Sequence, residues 1–314
     1  LISTLQEPFS LDSFNQIILD SGFPIWGITN AKIHENDKLN ILSWVENKLH
    51  GDMQWFEKNM ELRLDFKNLG FKPESIFVFL VPYPDETPEE FPYLFSRYAL
   101  GRDYHTAIRE KIQPILQYLK NHFPDAKFRH SVDSLPIPEK ILGRDAGLGW
   151  IGNNTLLINK EIGSYFFITT ILSSIFFEPS TPKVSTNHCG SCRKCMDACP
   201  TNALIAPAQI DSNLCISHNT IESKKENFKE GHNHGWLFGC DICQEVCPWN
   251  RKARRKYRKS ESYKPWTDWK PIPFFQNSKE EIELMNHKEF TQTFQDSAVS
   301  RIKYSQFRRN LKSL

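Results

Sequence analysis

The sequence predicts an α+β protein in two main units, an α/β domain followed by a small cysteine-rich domain. Three observations predict it. Apolar strand-like runs alternate with helical patterns through the first 180 residues. All eight cysteines fall between positions 189 and 247. Between these regions, residues 178–187 (EPSTPKVSTN) have the composition of a linker. The expected units are 1–183, 184–250 and a basic C-terminal region, 251–314.

The chain has 314 residues, of which 39% are hydrophobic and 13% aromatic, enough for real cores. A net charge of +2 says little by itself; its distribution says more.

Residues 10–50 alternate helical patterns with short apolar runs. Residues 75–81 (SIFVFLV) read as a fully buried strand. Pro82, Pro84, Pro88 and Pro92 then mark a long loop. Asp103 stands where a helix N-cap would, and Ile108, Ile112, Ile115, Leu116 and Leu119 follow at helical spacing. Pro114 kinks that helix unless it begins a second one. Residues 127–132 read as a strand, 136–144 as a short helix, and Gly147-Leu-Gly-Trp-Ile-Gly152 as a turn. Residues 154–158 and 165–173 read as a strand pair. The most apolar run, 165–177, is 13 residues long, short of the about 20 a membrane span needs. Residues 1–14 carry neither a basic n-region nor an apolar h-region, so no signal peptide is expected and the cytoplasm is the expected location.

The cysteines carry the chemistry. Cys189-x2-Cys192-x2-Cys195-x3-Cys199-Pro200 is the bacterial ferredoxin run. Three thiolates on a tight loop hold three corners of one 4Fe–4S cubane, and the Cys before Pro serves its neighbour. A second run, Cys240-x2-Cys243-x3-Cys247-Pro248, lacks its first ligand at the usual distance, which leaves Cys215. The expected sets are therefore Cys189, Cys192, Cys195 and Cys247 for one cluster, and Cys199, Cys215, Cys240 and Cys243 for the other. Two zinc sites would also use eight cysteines, but the three-cysteine run ending in Cys-Pro is not a zinc-ribbon spacing. Disulfides are not expected in a long chain whose cysteines crowd one segment. Two adjacent clusters form a one-electron wire, and such a wire feeds a second redox centre.

The first domain shows no Walker motif. Its Gly-x-Gly-x-x-Gly match at 147–152 follows a helix rather than a strand, which reads as a structural turn. Asp133 ends an expected strand just ahead of Pro136. There it is either a proton donor at a cleft or a capping residue. His188, His232 and His234 read as loop histidines. Residues 251–264 hold eight Lys or Arg and one Glu, and Arg301, Lys303, Arg308, Arg309 and Lys312 form a second basic group. These read as a phosphate-binding face or as an ordinary solvated one.

Six segments together resemble the epoxyqueuosine reductase family: Arg97-Tyr-Ala-Leu-Gly-Arg-Asp-Tyr-His105, Val132-Asp133-Ser, Ala146-Gly-Leu-Gly-Trp-Ile-Gly-Asn-Asn-Thr155, 189–200, Cys215-Ile-Ser217 and Gly239-Cys-Asp-Ile-Cys-Gln-Glu-Val-Cys-Pro248. They stand in the family's order and cover nearly the whole chain. The resemblance implies a cobalamin-binding domain of the nitroreductase and dehalogenase type ahead of the ferredoxin-like one. It implies the last step of queuosine synthesis, in which the epoxide of a tRNA wobble nucleotide is reduced to an alkene. Asp133 matches the family's proton donor. Arg63, Ser96, Asp133, Leu157, Ile168, Ile216, Ser217, Cys240 and Asp241 match positions around the corrin. The implied partners are tRNAs with a GUN anticodon (for Asp, Asn, His and Tyr) and an external electron donor, with no membrane and a monomeric enzyme. Lys224, Arg251, Lys252, Arg254, Arg255, Arg258, Arg301, Arg308 and Arg309 are the implied tRNA contacts. Asn153 departs from the pattern, standing where many relatives carry Lys. No Asp-x-His-x-x-Gly segment offers a lower axial histidine. A dehalogenase and a non-enzymatic electron carrier are the competing readings.

Overall fold

The computed structural model describes residues 8–84, 91–180, 187–257 and 266–314. At its centre is a four-stranded antiparallel sheet in the order Ile25–Asn30, Ser75–Pro82, Phe166–Ser173, Phe128–Ser131. Every residue of Ser75–Pro82 is buried. Period-two alternation explains why. Phe77, Phe79 and Val81 face a core with Phe14, Ile18, Ile108, Ile112 and Leu119, from the helices Leu11–Asp20, Tyr104–Lys111 and Gln113–His122. Ile76, Val78 and Leu80 face Leu142, Ala146, Leu148 and Leu157 on the other side, under the helix Glu139–Asp145. A strand covered on both faces has no polar side to show.

The Asp103 side chain accepts the His105 N–H as an N-cap. Pro114 lies in the first turn of Gln113–His122, so the helix is two helices rather than one kinked one. Two expectations are corrected. The segment ending at Ile158 does not pair with 165–173. Leu157–Ile158 forms a small hairpin with Trp150–Ile151, and Phe166–Ser173 sits inside the main sheet. The start of the 178–187 linker is docked rather than free: Ser180 exchanges two hydrogen bonds with Ile28 on the sheet edge, at 2.9 and 3.0 Å.

The strand Leu94–Phe95 pairs in parallel with Trp236–Phe238 of the cysteine-rich region. On this seam a third core forms. Phe95 and Phe238 meet Phe274, Phe275, Phe290, Phe294 and Phe307, all buried. Residues 266–314 are thus largely a folded aromatic cap over the seam. Among the described residues no helix is long and apolar enough to cross a membrane.

Candidate active site

None of the eight cysteines is joined to another in a disulfide. Cys195 lies within electrostatic reach of Cys189 and Cys247, and Cys247 of Cys189 and Cys192. Cys240 lies in reach of Cys215 and Cys199, and Cys243 of Cys240 and Cys215. Cys243 also senses Cys195, so the two groups adjoin. Backbone N–H groups turn toward the sulfurs, as Ala203 does at 3.3 Å from Cys199 Sγ. Such donors favour thiolate ligands.

The hairpin tip holds both cysteine loops. Asn153 is buried and donates to the Cys192 carbonyl at 2.8 Å, while Asn154 reaches the Cys243 carbonyl at 3.5 Å. The residue that departs from the family pattern therefore has a definite partner.

Where the first domain meets the cysteine-rich one, Asp241 is 1% exposed and fully engaged. Its carboxylate accepts the Ser96 hydroxyl at 2.5 Å, the Arg97 backbone N–H at 2.8 Å and the Arg97 guanidinium at 3.1 Å. Arg97 also donates to Glu245 at 2.7 Å. Burial pushes the Asp241 carboxyl up, and the Arg97 bonds oppose it. Only glycine fits beside this group at position 239. Its φ is +69°, and a Cβ there would lie 2.4 Å from that of Ser96. Ile216 and Ser217 begin the helix that follows Cys215.

Asp133 lies two residues beyond the end of Phe128–Ser131, with a left-handed φ of 48°. Its side chain is exposed, and it accepts the Tyr104 hydroxyl at 2.9 Å. The Tyr104 ring stacks on Phe167, with centroids 4.4 Å apart. Burial and the Asp133 charge push the Tyr104 hydroxyl well up, so it stays a donor. The Asp133 backbone N–H donates to Glu139 at 3.0 Å. Arg63 is buried and feels both carboxylates; desolvation lowers it to about 10. Its guanidinium packs 3.7 Å over the Phe56 ring, and among the described residues its Nε has no hydrogen-bond partner. Tyr98 senses both Asp133 and Asp241, which ties this corner to the domain seam. Leu157 packs beneath Gly143 of the neighbouring helix, and half-buried Ile168 sits on the central strand. Arg97 and Tyr104 lie in the 97–105 segment without a role assigned to them there, and Glu139 is the part of this arrangement that sequence patterns do not single out.

The basic residues separate. Arg309 is 6% exposed and donates to the carbonyls of Ser223, Lys225 and Asn219 at 2.7–2.9 Å. It is a buried brace, and its reading as a phosphate contact is corrected. Half-buried Arg308 bonds the Glu283 carbonyl. Arg301 stays exposed while paired with Glu222 at 3.0 Å. Lys224, Arg251 and Lys252 are exposed. Arg254 and Arg255 lie on the helix Pro248–Tyr257, and Arg258 lies outside the described residues. His188 packs against Trp150 and Trp249, and His232 stacks on Phe228; neither lies in the corner with Asp133.

Paired thiol groups beside a buried polar seam and a carboxylate corner define an iron–sulfur oxidoreductase with a double-cluster ferredoxin-like domain. The family described as 4Fe-4S double cluster binding domain matches residues 188–250, and the one described as Epoxyqueuosine reductase QueG, DUF1730, matches 63–134. An epoxyqueuosine reductase of Leadbetterella byssophila is 36% identical over 92% of this chain and 93% of its own length. A solved epoxyqueuosine reductase with a tRNA-Tyr epoxyqueuosine-modified tRNA stem loop superposes with a TM-score of 0.82 at 27% identity, covering 96% of this chain and 79% of that one. The Bacillus subtilis enzyme, solved with its catalytic aspartate loop swung out of the active site, gives 0.79 at 26% identity over the same shares. The chain belongs to the epoxyqueuosine reductase family.

Proposed function

We propose that this protein reduces epoxyqueuosine to queuosine at the wobble position of tRNA, with Asp133 as the proton donor. The reaction adds two electrons and two protons to the epoxide, breaks both C–O bonds, forms a C=C bond and releases water. Electrons enter singly through two 4Fe–4S clusters, one on Cys189, Cys192, Cys195 and Cys247, the other on Cys199, Cys215, Cys240 and Cys243. The donor is an external one-electron carrier.

The residues of the carboxylate corner and the seam suit a bound cobalamin. Ser96, Ile216, Ser217, Cys240, Asp241, Arg63, Leu157 and Ile168 would hold it. The unmet Nε of buried Arg63 is a donor that the amide rim of a corrin would satisfy. When bound, cobalamin supplies the low-potential electrons that open a strained C–O bond.

The observation that carries the reading is the Asp133 corner. A carboxyl on a left-handed turn is held by the Tyr104 hydroxyl beside Arg63, at the end of the domain that meets the clusters. There it delivers a proton to the departing oxygen, and Tyr104 keeps the resulting carboxylate in place. The wobble nucleotide enters by leaving its stack. Lys224, Arg251, Lys252 and Arg301 face solvent as phosphate contacts. The substrates are tRNAs with a GUN anticodon, and the enzyme acts as a cytoplasmic monomer.

Asp133→Asn tests this. The variant should keep its iron and its corrinoid absorption, yet lose turnover of epoxyqueuosine-containing tRNA by at least about a hundredfold. Full turnover would remove Asp133 from the mechanism.

A further inference from the structure

The turn that presents Asp133 has firm ends. On one side, the Ser131 carbonyl accepts the Thr169 hydroxyl at 2.9 Å and the Ser131 hydroxyl accepts the Leu135 N–H at 3.1 Å. On the other, Glu139 opens the helix Glu139–Asp145 just after Pro138, whose carbonyl receives the Ile141 and Leu142 N–H groups at 2.9 and 3.1 Å. Asp133 stands between them at a φ of 48°, a conformation a non-glycine residue keeps only when its surroundings impose it. Two bonds impose it. The Tyr104 hydroxyl holds the side chain at 2.9 Å, and the Glu139 carboxylate takes the backbone N–H at 3.0 Å. The first bond fixes a rotatable side chain. The second holds the Asp133 backbone itself, within a turn that the Ser131 hydroxyl also ties to Ser134 and Leu135.

We propose that Glu139 is a positioning residue for Asp133: its carboxylate latches the Asp133 N–H and so holds the turn that aims the Asp133 carboxyl at Tyr104 and Arg63. The inference rests on Asp133 as proton donor and adds the device that presents it. The groups facing the latch are few. Arg63 comes from the helix Met60–Leu64 and Tyr104 from Tyr104–Lys111. Glu139 senses Asp133 and Arg63 as its charged neighbours, in that order of strength. Burial and the Asp133 charge push the Glu139 carboxyl well up, while the Asp133 N–H and Arg63 pull it down. The latch and the acid are therefore in electrical contact as well as bonded. Glu139 receives the backbone of the acid rather than the reacting atoms, so its effect on turnover passes through Asp133.

The test uses the cluster- and corrinoid-loaded enzyme in three variants and reads amide hydrogen exchange of the 128–139 segment beside kinetics. Glu139→Ala removes the acceptor. Exchange at the Asp133 amide should rise about tenfold or more, and kcat should fall by a similar factor with KM for tRNA unchanged. Glu139→Gln keeps a carbonyl oxygen in the same place, so exchange and kcat should both stay within about threefold of the parent. In an Asp133→Asn background, Glu139→Ala should cost no further turnover, because both act on one group. Unchanged exchange in Glu139→Ala, or equal losses in the Ala and Gln variants, would overturn the latch. If Glu139→Ala does not fold, Glu139→Met, which has similar bulk and no oxygen, takes its place against the Gln variant. Normal turnover in Asp133→Asn alone would sink the proton-donor reading while leaving the exchange result as it stands, so the two failures are distinguishable.

Discussion

Replacing Arg309 by Met separates a brace from a nucleic-acid contact. In the parent, Nη1 donates to the Ser223 and Lys225 carbonyls and Nη2 to the Asn219 carbonyl, at 2.7–2.9 Å. Both Nε and Nη2 reach Asn310 Oδ1, and Asn310 in turn donates to the Thr220 and Leu237 carbonyls. The guanidinium also sits 4.6 Å from the Phe228 ring centroid. Methionine fills much of the volume but leaves three carbonyls without this donor. Losing charged-donor bonds costs about 1.5–3 kcal/mol each, and less than the sum when the groups share one site. A loss of about 3–5 kcal/mol is expected. At roughly 2–4 °C per kcal/mol for a chain of this size class, the melting midpoint should drop by about 6–20 °C. Thermal melts of the loaded protein read this directly. The salt dependence of tRNA binding to the surviving folded protein should match the parent. A variant with parental melting and a flatter salt slope would refute the reasoning, because Arg309 would then be a phosphate contact after all.

Two further outcomes follow from the geometry. Changing exposed Arg251, Lys252 and Arg301 together to Ala should reduce the slope of log affinity for the tRNA anticodon loop against log salt by about 0.7 for each phosphate no longer neutralised; an unchanged slope in a filter-binding titration removes this face from the interface. His130 is held at about 4, mainly by burial and then by Arg109, with its Nε2 2.8 Å from the Thr169 hydroxyl. Its folded value lies below its unfolded one of 6.5, so the unfolded chain takes up the proton first as pH falls. Stability should therefore drop between about pH 6.5 and 4, and His130→Gln should show a shallower fall in urea titrations across that window. An identical fall would place the acid sensitivity elsewhere.

Some of this is legible in the sequence for plain reasons. An unbroken apolar run such as 75–81 has only one stable setting, covered on both faces. Pro114 can begin a helix but cannot sit inside one without cost. The cysteine spacing carries its own geometry, and thiols of each expected foursome sense one another in the folded chain. Other parts are not legible. A two-residue strand such as Leu157–Ile158 is too short for its alternation to name a partner. In the C-terminal region the charges draw attention, while Phe274, Phe290, Phe294 and Phe307 carry the real signal of a core. Arg308 and Arg309 are adjacent and identical in the sequence, and only the packing of Tyr304–Lys312 turns one inward. Glu139 has no local mark at all. Its importance comes from a backbone N–H six positions earlier, and sequence patterns describe side chains.

The short parallel pairing of Leu94–Phe95 with Trp236–Phe238 has a consequence for biogenesis. A ribosome that has released only the first two hundred residues has made the half that carries Asp133 but not Trp236–Phe238, the partner of Leu94–Phe95. Phe95, Ala99 and Leu100 then have no cover, since Phe238 and the C-terminal phenylalanines are still to come. The nascent chain must wait for its own distant end before this face closes, and closing so long a loop is entropically slow. A gene split between the domains should yield an N-terminal fragment that aggregates rather than a separable module.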